Sequence, residues 1–333
     1  MAKRLYSAAL LAVLLGILVC TVRLRLPDAE DVPSPSPTDT PEVTEDTGSS
    51  VDSETFFTAL SGGEITTQAM DSYLIGTIAG EMPASFNIEA LKAQAVAART
   101  YILYKTLHAT SAHPEAAVCD DAACCKAFLT EDERSELWGD SYAEYRAKLE
   151  TAVSATDGEY LVYDGEPIQA VFHSSSAGAT ASGAEIWGDV PYLVSVDTPE
   201  TEDAVPNFVS TVEVSPSDFA AALSEAFPDA DFSGSADTWL AETTLSDSGR
   251  VDNLLVGGVC VTGAEMRKIF SLRSTAFELE YTGSSFLFTV TGYGHGVGMS
   301  QYGANIMAQR GSSYSEILLH YYTGAEIVRG GRS

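Results

Sequence analysis

The chain has 333 residues, with 18 Lys and Arg against 47 Asp and Glu, five His and five Cys. Hydrophobic residues at 45% and aromatics at 9% are enough for a packed core, which excludes wholesale disorder, and five clustered Cys are too few for a disulfide-stapled miniature. A formal charge of −29 argues against a surface that grips nucleic acid or lies broadly on an anionic membrane, but not against a neutral polymer such as a glycan.

Lys3 and Arg4 precede an apolar run over 8–22, interrupted by Gly16 and Thr21 and followed by Arg23 and Arg25. A spanning helix needs roughly 17–25 residues, so the run suffices if Tyr6 and Ser7 extend it and Arg23 snorkels. A cleaved signal peptide would need a small-x-small site before Arg23, and a lipoprotein anchor at Cys20 would need a small residue in place of Val19. Residues 1–26 therefore read as an uncleaved N-terminal transmembrane helix in the cell membrane, with an extracytoplasmic body. Residues 27–55, with the Pro33-Ser34-Pro35-Ser36-Pro37 run and nine Asp or Glu, read as a solvated spacer. Residues 56–333 read as a single domain.

In that body, 71–80 has helical spacing with Leu74, Ile75 and Ile78 on one face, and Pro83 stops it. Asn87 suits the N-cap of a second helix reaching about residue 107, with Leu91, Ala95, Ala98 and Ile102 toward a core and Lys92 and Arg99 on another face. Residues 160–163 and 168–172 flank Asp164-Gly165 as a primed-turn hairpin, and 277–281 with 286–290 flank Gly283. Thr262 with Glu265, and Ser313 with Glu316, are capping boxes that open helices ending near 272 and 324. Helices and antiparallel strands mix without βαβ alternation, which is the α+β class.

Four constellations carry possible chemistry. In Gly80-Glu81-Met82-Pro83-Ala84-Ser85-Phe86 a carboxylate ends a helix among apolar groups; such surroundings help a general acid keep its proton, although an ordinary exposed Glu has the same sequence. In Gly292-Tyr293-Gly294-His295-Gly296-Val297-Gly298-Met299-Ser300 the alternating glycines suit a backbone that approaches a ligand, with Ser300 capping the next helix, or simply a tight turn with a packed His. No Lys follows, so this is not a nucleotide loop. In Phe172-His173-Ser174-Ser175-Ser176 an imidazole and hydroxyls end a strand and suit a polar ligand; a nucleophilic Ser lacks its G-x-S-x-G elbow. His113, Cys119, Cys124 and Cys125 offer four N or S ligands for one structural zinc ion, with a disulfide from Cys119 to Cys124 or Cys125 as the alternative; Cys260 reads as a lone buried thiol.

Taken in order, E-M-P-A-S-F, E-A-L-K-A-Q-A-V-A-A-R-T-Y, F-H-S-S-S-A-G, G-Y-G-H-G-V-G-M-S-Q-Y-G-A and Y-S-E-I-L-L-H-Y-Y-T-G resemble the stage II sporulation protein D family over roughly residues 71–328. The resemblance implies a peptidoglycan lytic transglycosylase that cuts between N-acetylmuramic acid and N-acetylglucosamine during forespore engulfment, leaving 1,6-anhydro ends. It makes Glu81 the essential catalytic residue. It also implies glycan stripped of stem peptides as the preferred substrate, and the stage II sporulation protein P amidase and protein M as partners. Clostridial relatives carry a His, Cys, His, Cys zinc pattern; His113, Cys119 and Cys125 match it and Cys124 replaces the second His. Family members often have Thr, Gly and Lys near Ser175, Ala177 and Ala179, which leaves individual sugar contacts open.

Inside the motifs, Lys92, Gln94, Arg99, His173, Ser174, Ser176, His295, Ser300, Gln301 and Tyr302 are the candidate glycan-binding residues. Arg99 is expected on glycan or backbone, because a guanidinium on Glu81 would work against its acid role. The rival readings are a non-catalytic amidase enhancer or glycan-binding scaffold, and a zinc amidase or peptidase, which a Cys-rich ligand set disfavours.

Overall fold

A computed structural model describes residues 50–121 and 124–330 of the chain. The expected anchor and most of the spacer lie outside the described residues. Among the described residues no helix is long and apolar enough to cross a membrane. Mixed helices and mainly antiparallel strands give the α+β class anticipated from the pattern.

The first short helix, α1 (Val51–Glu54), falls in the stretch read as spacer, yet its Asp52 is packed into the body at 2% exposure. A hairpin of β1 (Phe56–Ser61) and β2 (Glu64–Ala69) follows. It turns at Gly62-Gly63, both at positive φ, as a two-residue hairpin turn requires. Helix α2 (Met70–Glu81) ends where Met82 becomes extended, because the residue before Pro83 cannot stay helical without a clash. Helix α3 (Ile88–Leu107) starts at Asn87, whose side chain accepts the Glu89 N–H at 3.0 Å.

All four residues expected on the core face of α3 are buried, but so are Ala90, Ala93, Gln94, Val96, Ala97 and Arg99. The helix is therefore central rather than amphipathic. Its alanines let α2 and later elements approach from several sides. After β3 (Val118–Cys119), which lies parallel to β1, α4 (Glu131–Trp138) and α5 (Tyr142–Ala155) cover α2 and α3.

The hairpin at Asp164-Gly165 forms, with φ of 51° and 83°. Its strands are β4 (Glu159–Tyr163) and a two-residue β5 (Glu166–Pro167) rather than a return over 168–172. Two tight turns end the ladder, with Ala170 N–H donating to Ile168 O and Val171 N–H to Gln169 O. The chain then enters β6 (Phe172–His173) and the short α6 (Gly183–Ile186).

Residues 209–291 build a second hydrophobic core within the body read as one domain. Strand β7 (Val209–Val214) pairs with the later hairpin, and α7 (Pro216–Ala226) packs Phe219 into the core. Strands β8 (Leu240–Leu245), β9 (Val251–Val256) and β10 (Val259–Thr262) form an antiparallel sheet. Cys260, on β10, is exposed and not the buried thiol expected; its neighbours Val259 and Val261 turn inward by strand alternation. Helix α8 (Gly263–Ile269) has the Thr262–Glu265 capping box but stops before 272, shortly ahead of the left-handed Ser271. Strands β11 (Phe277–Tyr281) and β12 (Phe286–Thr291) form the anticipated hairpin, and the Phe286 ring stacks on Phe219 at 3.9 Å. The chain returns to the first core through β13 (Met299–Ser300), α9 (Gln301–Gln309), α10 (Tyr314–Tyr321), which has the Ser313–Glu316 box, and β14 (Glu326–Arg329) beside β4.

Candidate active site and metal centre

Glu81 ends α2, partly exposed, and its Oε1 accepts the Ala127 N–H at 2.7 Å. That contact comes from the segment after Cys125. Phe128 stacks on Tyr73 of α2 at 4.8 Å, and the Leu129 N–H donates to Gly76 O at 3.1 Å. Close approach needs Gly76, where an added Cβ would lie 2.3 Å from the Phe128 ring. The same segment brings the Lys126 ammonium over the Phe172 ring at 3.6 Å and the Tyr101 ring at 4.8 Å. Burial pushes the Lys126 pKa down to about 8, and the Glu81 carboxylate acts against that shift. Glu81 is therefore held by a backbone donor from a distant segment, which its neighbours in sequence do not suggest.

The glycine motif meets β6. Gly292, Gly294, Gly296 and Gly298 all have positive φ. A Cβ would lie 2.8 Å from the His173 Cβ at Gly294, 2.5 Å from the Arg250 guanidinium at Gly296 and 2.1 Å from Val171 O at Gly298. The glycines thus let backbone approach the protein's own strand and a buried Arg, which fits the tight turn with a packed His weighed beside a ligand loop. The loop sets β13 parallel to β6, with Ser300 beside His173.

His173 is buried, with Nδ1 on Val297 O at 3.1 Å and Nε2 on the Ser176 hydroxyl at 2.6 Å. Burial and the neighbouring His295, Arg250 and Lys126 hold its pKa well below the ordinary value. His295 is partly exposed, 5.1 Å from the Trp187 ring, and has its Nε2 on Phe172 O at 3.1 Å. Burial, then Lys126, pushes its pKa down to about 3, so both imidazoles are neutral at pH 7. Tyr302, at the start of α9, packs on Phe86 at 5.0 Å and donates its N–H to Ser174 O at 3.0 Å. The Glu81 loop, the His-Ser strand end and the glycine motif therefore meet at one place.

Six of the expected glycan-binding residues belong to the frame behind that place. Arg99 is 2% exposed, with Nε and Nη2 on the Asp52 carboxylate and Nη1 on Glu159 O at 2.8 Å, which leaves it no sugar-facing edge. It does not pair with Glu81. Gln94 is fully buried in the middle of α3, and Gln301 is 5% exposed. His173 donates and accepts only inward. Ser176 and Ser300 are fully buried on Glu200, through the Ser176 N–H at 3.0 Å and the Ser300 hydroxyl. Lys92 is partly exposed but tied to Glu89 at 2.7 Å. Ser174, His295 and Tyr302 remain partly exposed where the motifs meet.

His113, Cys119, Cys124 and Cys125 offer ligand atoms that all lie within 4.8 Å of one another. The four described cysteines, including these three, are free rather than bridged. His113 Nδ1 lies 2.8 Å from Ala116 O, which fixes that nitrogen as the donor, and Nε2 lies 3.2 Å from Cys125 Sγ. A metal-binding imidazole is held in this way, with its second nitrogen on a carbonyl. Burial pushes the Cys125 thiol up to about 12, with Cys119 and Cys124 adding to it. A cation is the natural counter-charge for three such sulfurs, so the residues fit a metal ion.

The family model for Stage II sporulation protein matches residues 61–163, which hold Glu81, α3 and the metal cluster. The chain is 35% identical over 260 residues to stage II sporulation protein D of Bacillus subtilis (strain 168), covering 78% of this chain and 74% of that protein. The same protein from Bacillus amyloliquefaciens matches at 35% over the same shares. An amidase enhancer of Bacillus subtilis is 30% identical over 305 residues, covering 77% of this chain but 40% of that protein.

The chain belongs to the stage II sporulation protein D family.

In this family member, residues outside the recognisable motifs complete the site. Lys126 and Ala127 follow Cys125 of the His-Cys cluster and carry no motif of their own. Glu200, 7% exposed, joins Ser176 to Ser300 from a loop whose sequence gives no signal. Asp52 is hidden in what reads as an acidic spacer.

Proposed function

We propose that this chain is a membrane-anchored lytic transglycosylase that cleaves the N-acetylmuramic acid to N-acetylglucosamine bond of peptidoglycan during forespore engulfment. The observation that carries the reading is the partly exposed Glu81 at the meeting place of the motifs, with its Oε1 held by the Ala127 N–H at 2.7 Å. Glu200, a buried carboxylate from outside the motifs, is committed to Ser176 and Ser300. Most glycosidases flank the bond with two carboxylates. One suffices when the nucleophile is the substrate's own C6 hydroxyl. Glu81 gives its proton to the leaving glycosidic oxygen as the C1–O bond breaks. The C6 oxygen then bonds to C1 and returns its proton to Glu81, so the residue is regenerated and no water is consumed. Intramolecular attack has a large effective molarity, which removes the need for a positioned water.

One zinc ion, held by His113, Cys119, Cys124 and Cys125, would be structural in this reading, since four protein ligands close the coordination shell. Its chemistry would be to fix the segment that carries Lys126 and the Ala127 N–H. The reading also includes the anchor over 8–22, an extracytoplasmic body, glycan stripped of stem peptides as substrate, and the stage II sporulation protein P amidase and protein M as partners. The similarity to an amidase enhancer favours a second reading, in which the chain binds glycan and stimulates a partner without cutting.

The test is mass spectrometry of products from stem-peptide-free glycan, with wild type and Glu81→Gln. Anhydro-ended fragments from wild type and none from the variant are expected. No fragments from folded, zinc-loaded wild type would leave the enhancer reading, and reducing ends would mean a water-using hydrolase.

A further inference from the structure

We infer that the hollow between α8 and the glycine motif is a carboxylate-binding subsite for the glycan strand. It has a volume of about 500 Å³ and is lined by Arg267, Lys268, Arg273 and Tyr293, among others. The charge pattern singles it out. Acids outnumber bases 47 to 18 in this chain, yet three of the bases line one hollow whose lining includes no acid. Among the described residues none forms an ion pair with Arg267, Lys268 or Arg273. Lys268 also lines a neighbouring hollow with Glu225 and Glu265, so Arg267 and Arg273 are the cations with no carboxylate beside them in either lining; their mutual repulsion is relieved by an anionic ligand.

The groups are held in place rather than swinging in solvent. The Arg267 Nε donates to Leu272 O at 3.2 Å, where α8 ends. The Arg273 guanidinium lies over the Tyr293 ring at 4.4 Å, and the Gly294 N–H donates to Arg273 O at 2.9 Å. Arg273 Nε is buried and has no protein partner. A planar fork held on an aromatic face is the geometry that accepts a carboxylate through two parallel bonds. Tyr293 itself is 48% exposed and offers ring surface at the mouth.

The hollow adjoins the proposed active site through two links. Tyr293 lies two residues before His295, and its backbone pairs with Ser175 at the His-Ser strand end, the Ser175 N–H donating to Tyr293 O at 3.1 Å and the Tyr293 N–H to Ser175 O at 2.9 Å. Tyr293 therefore joins the hollow to the strand end that carries Ser174. Peptidoglycan supplies carboxylates from two sources: the lactyl group of a muramic acid stripped of its peptide, and the acids of attached stem peptides. This subsite rests on the glycan reading of the chain but not on cleavage.

The experiment measures binding of the full-length chain carrying Glu81→Gln, which removes turnover. The probes are stem-peptide-free glycan, the same glycan with its lactyl carboxylates converted to methylamides, and glycan bearing intact stems. We expect amidation to weaken binding about tenfold, the effect of losing one charge-assisted contact. Adding Arg273→Gln with the exposed Lys268→Gln should abolish the distinction between free and amidated glycan, and Arg273→Lys with Lys268 intact should restore part of it. Stem-bearing glycan binding as tightly as stripped glycan assigns the pocket to peptide carboxylates; weaker binding assigns it to the lactyl group. Equal binding of free and amidated glycan, discrimination that survives the charge-removing variant, or no glycan binding overturns the subsite. Cleavage by wild type alongside equal binding would sink the subsite alone and leave the transglycosylase reading standing.

Discussion

Replacing Asp52 by Asn tests whether the chain ahead of the hairpin is part of the fold. Arg99 and Asp52 are each 2% exposed, so neither charge is hydrated in the native state. The carboxylate accepts from Arg99 Nε at 2.8 Å, from Arg99 Nη2 and from the Gly158 N–H at 3.3 Å. Asn keeps the shape but removes the charge, which leaves the guanidinium with Glu159 O at 2.8 Å and a neutral amide oxygen, and no counter-charge. Removing one partner of a buried ion pair costs about 3–5 kcal/mol. That is a large share of the roughly 5–15 kcal/mol that holds a domain folded. Urea unfolding should therefore show a lower midpoint with an unchanged slope. The double replacement Asp52→Leu with Arg99→Met should recover most of the loss, because no unpaired charge remains. A loss under about 1 kcal/mol for Asp52→Asn would refute the reasoning. So would an Arg99→Met variant that is stable but no longer binds glycan, since Arg99 would then face substrate.

Acid should destabilise the protein through its histidines. The folded pKa of His295 is held at about 3 and that of His173 well below the usual value, so the unfolded chain takes up protons below about pH 6.5 while the folded one does not. Stability is complete above that pH and falls from there toward pH 3; His295→Gln should lose roughly 2–3 kcal/mol less than wild type between pH 7 and 4 in urea titrations, and equal losses would contradict this. Native mass spectrometry under reducing conditions should find one metal ion per chain in wild type and a depleted fraction in Cys125→Ser. Metal-free wild type would speak against the centre. Gly76→Ala puts a methyl into the Phe128 ring and should cost about 1–3 kcal/mol of overpacking. It should also reduce glycan cleavage by displacing the Ala127 N–H from Glu81. Full activity would show that this contact does not position the carboxylate.

The short-range signals in the sequence held wherever the physics is local. Pro83 stops α2, Asn87 starts α3, Asp164-Gly165 turns a hairpin, and the two capping boxes open α8 and α10, because each depends on a few neighbouring dihedrals and hydrogen bonds. The ordered motifs and the His-Cys spacing likewise pointed to the family and to the metal cluster before any contact was known. Long-range contact decided the rest. Arg99 looks like a surface group on a helix, and becomes a core residue only because Asp52, 47 residues earlier, reaches it. The glycines of the 292–298 loop look made for a ligand, and are in fact required by Val171, His173 and Arg250 behind them. Lys126 gains meaning only when the segment after the His-Cys cluster lays it across the Phe172 ring. Sequence determines which residues can be charged, small or capped. Which of those charges face water, which face one another and which are left facing an open hollow depends on segments far apart in the chain, and that was settled by packing alone.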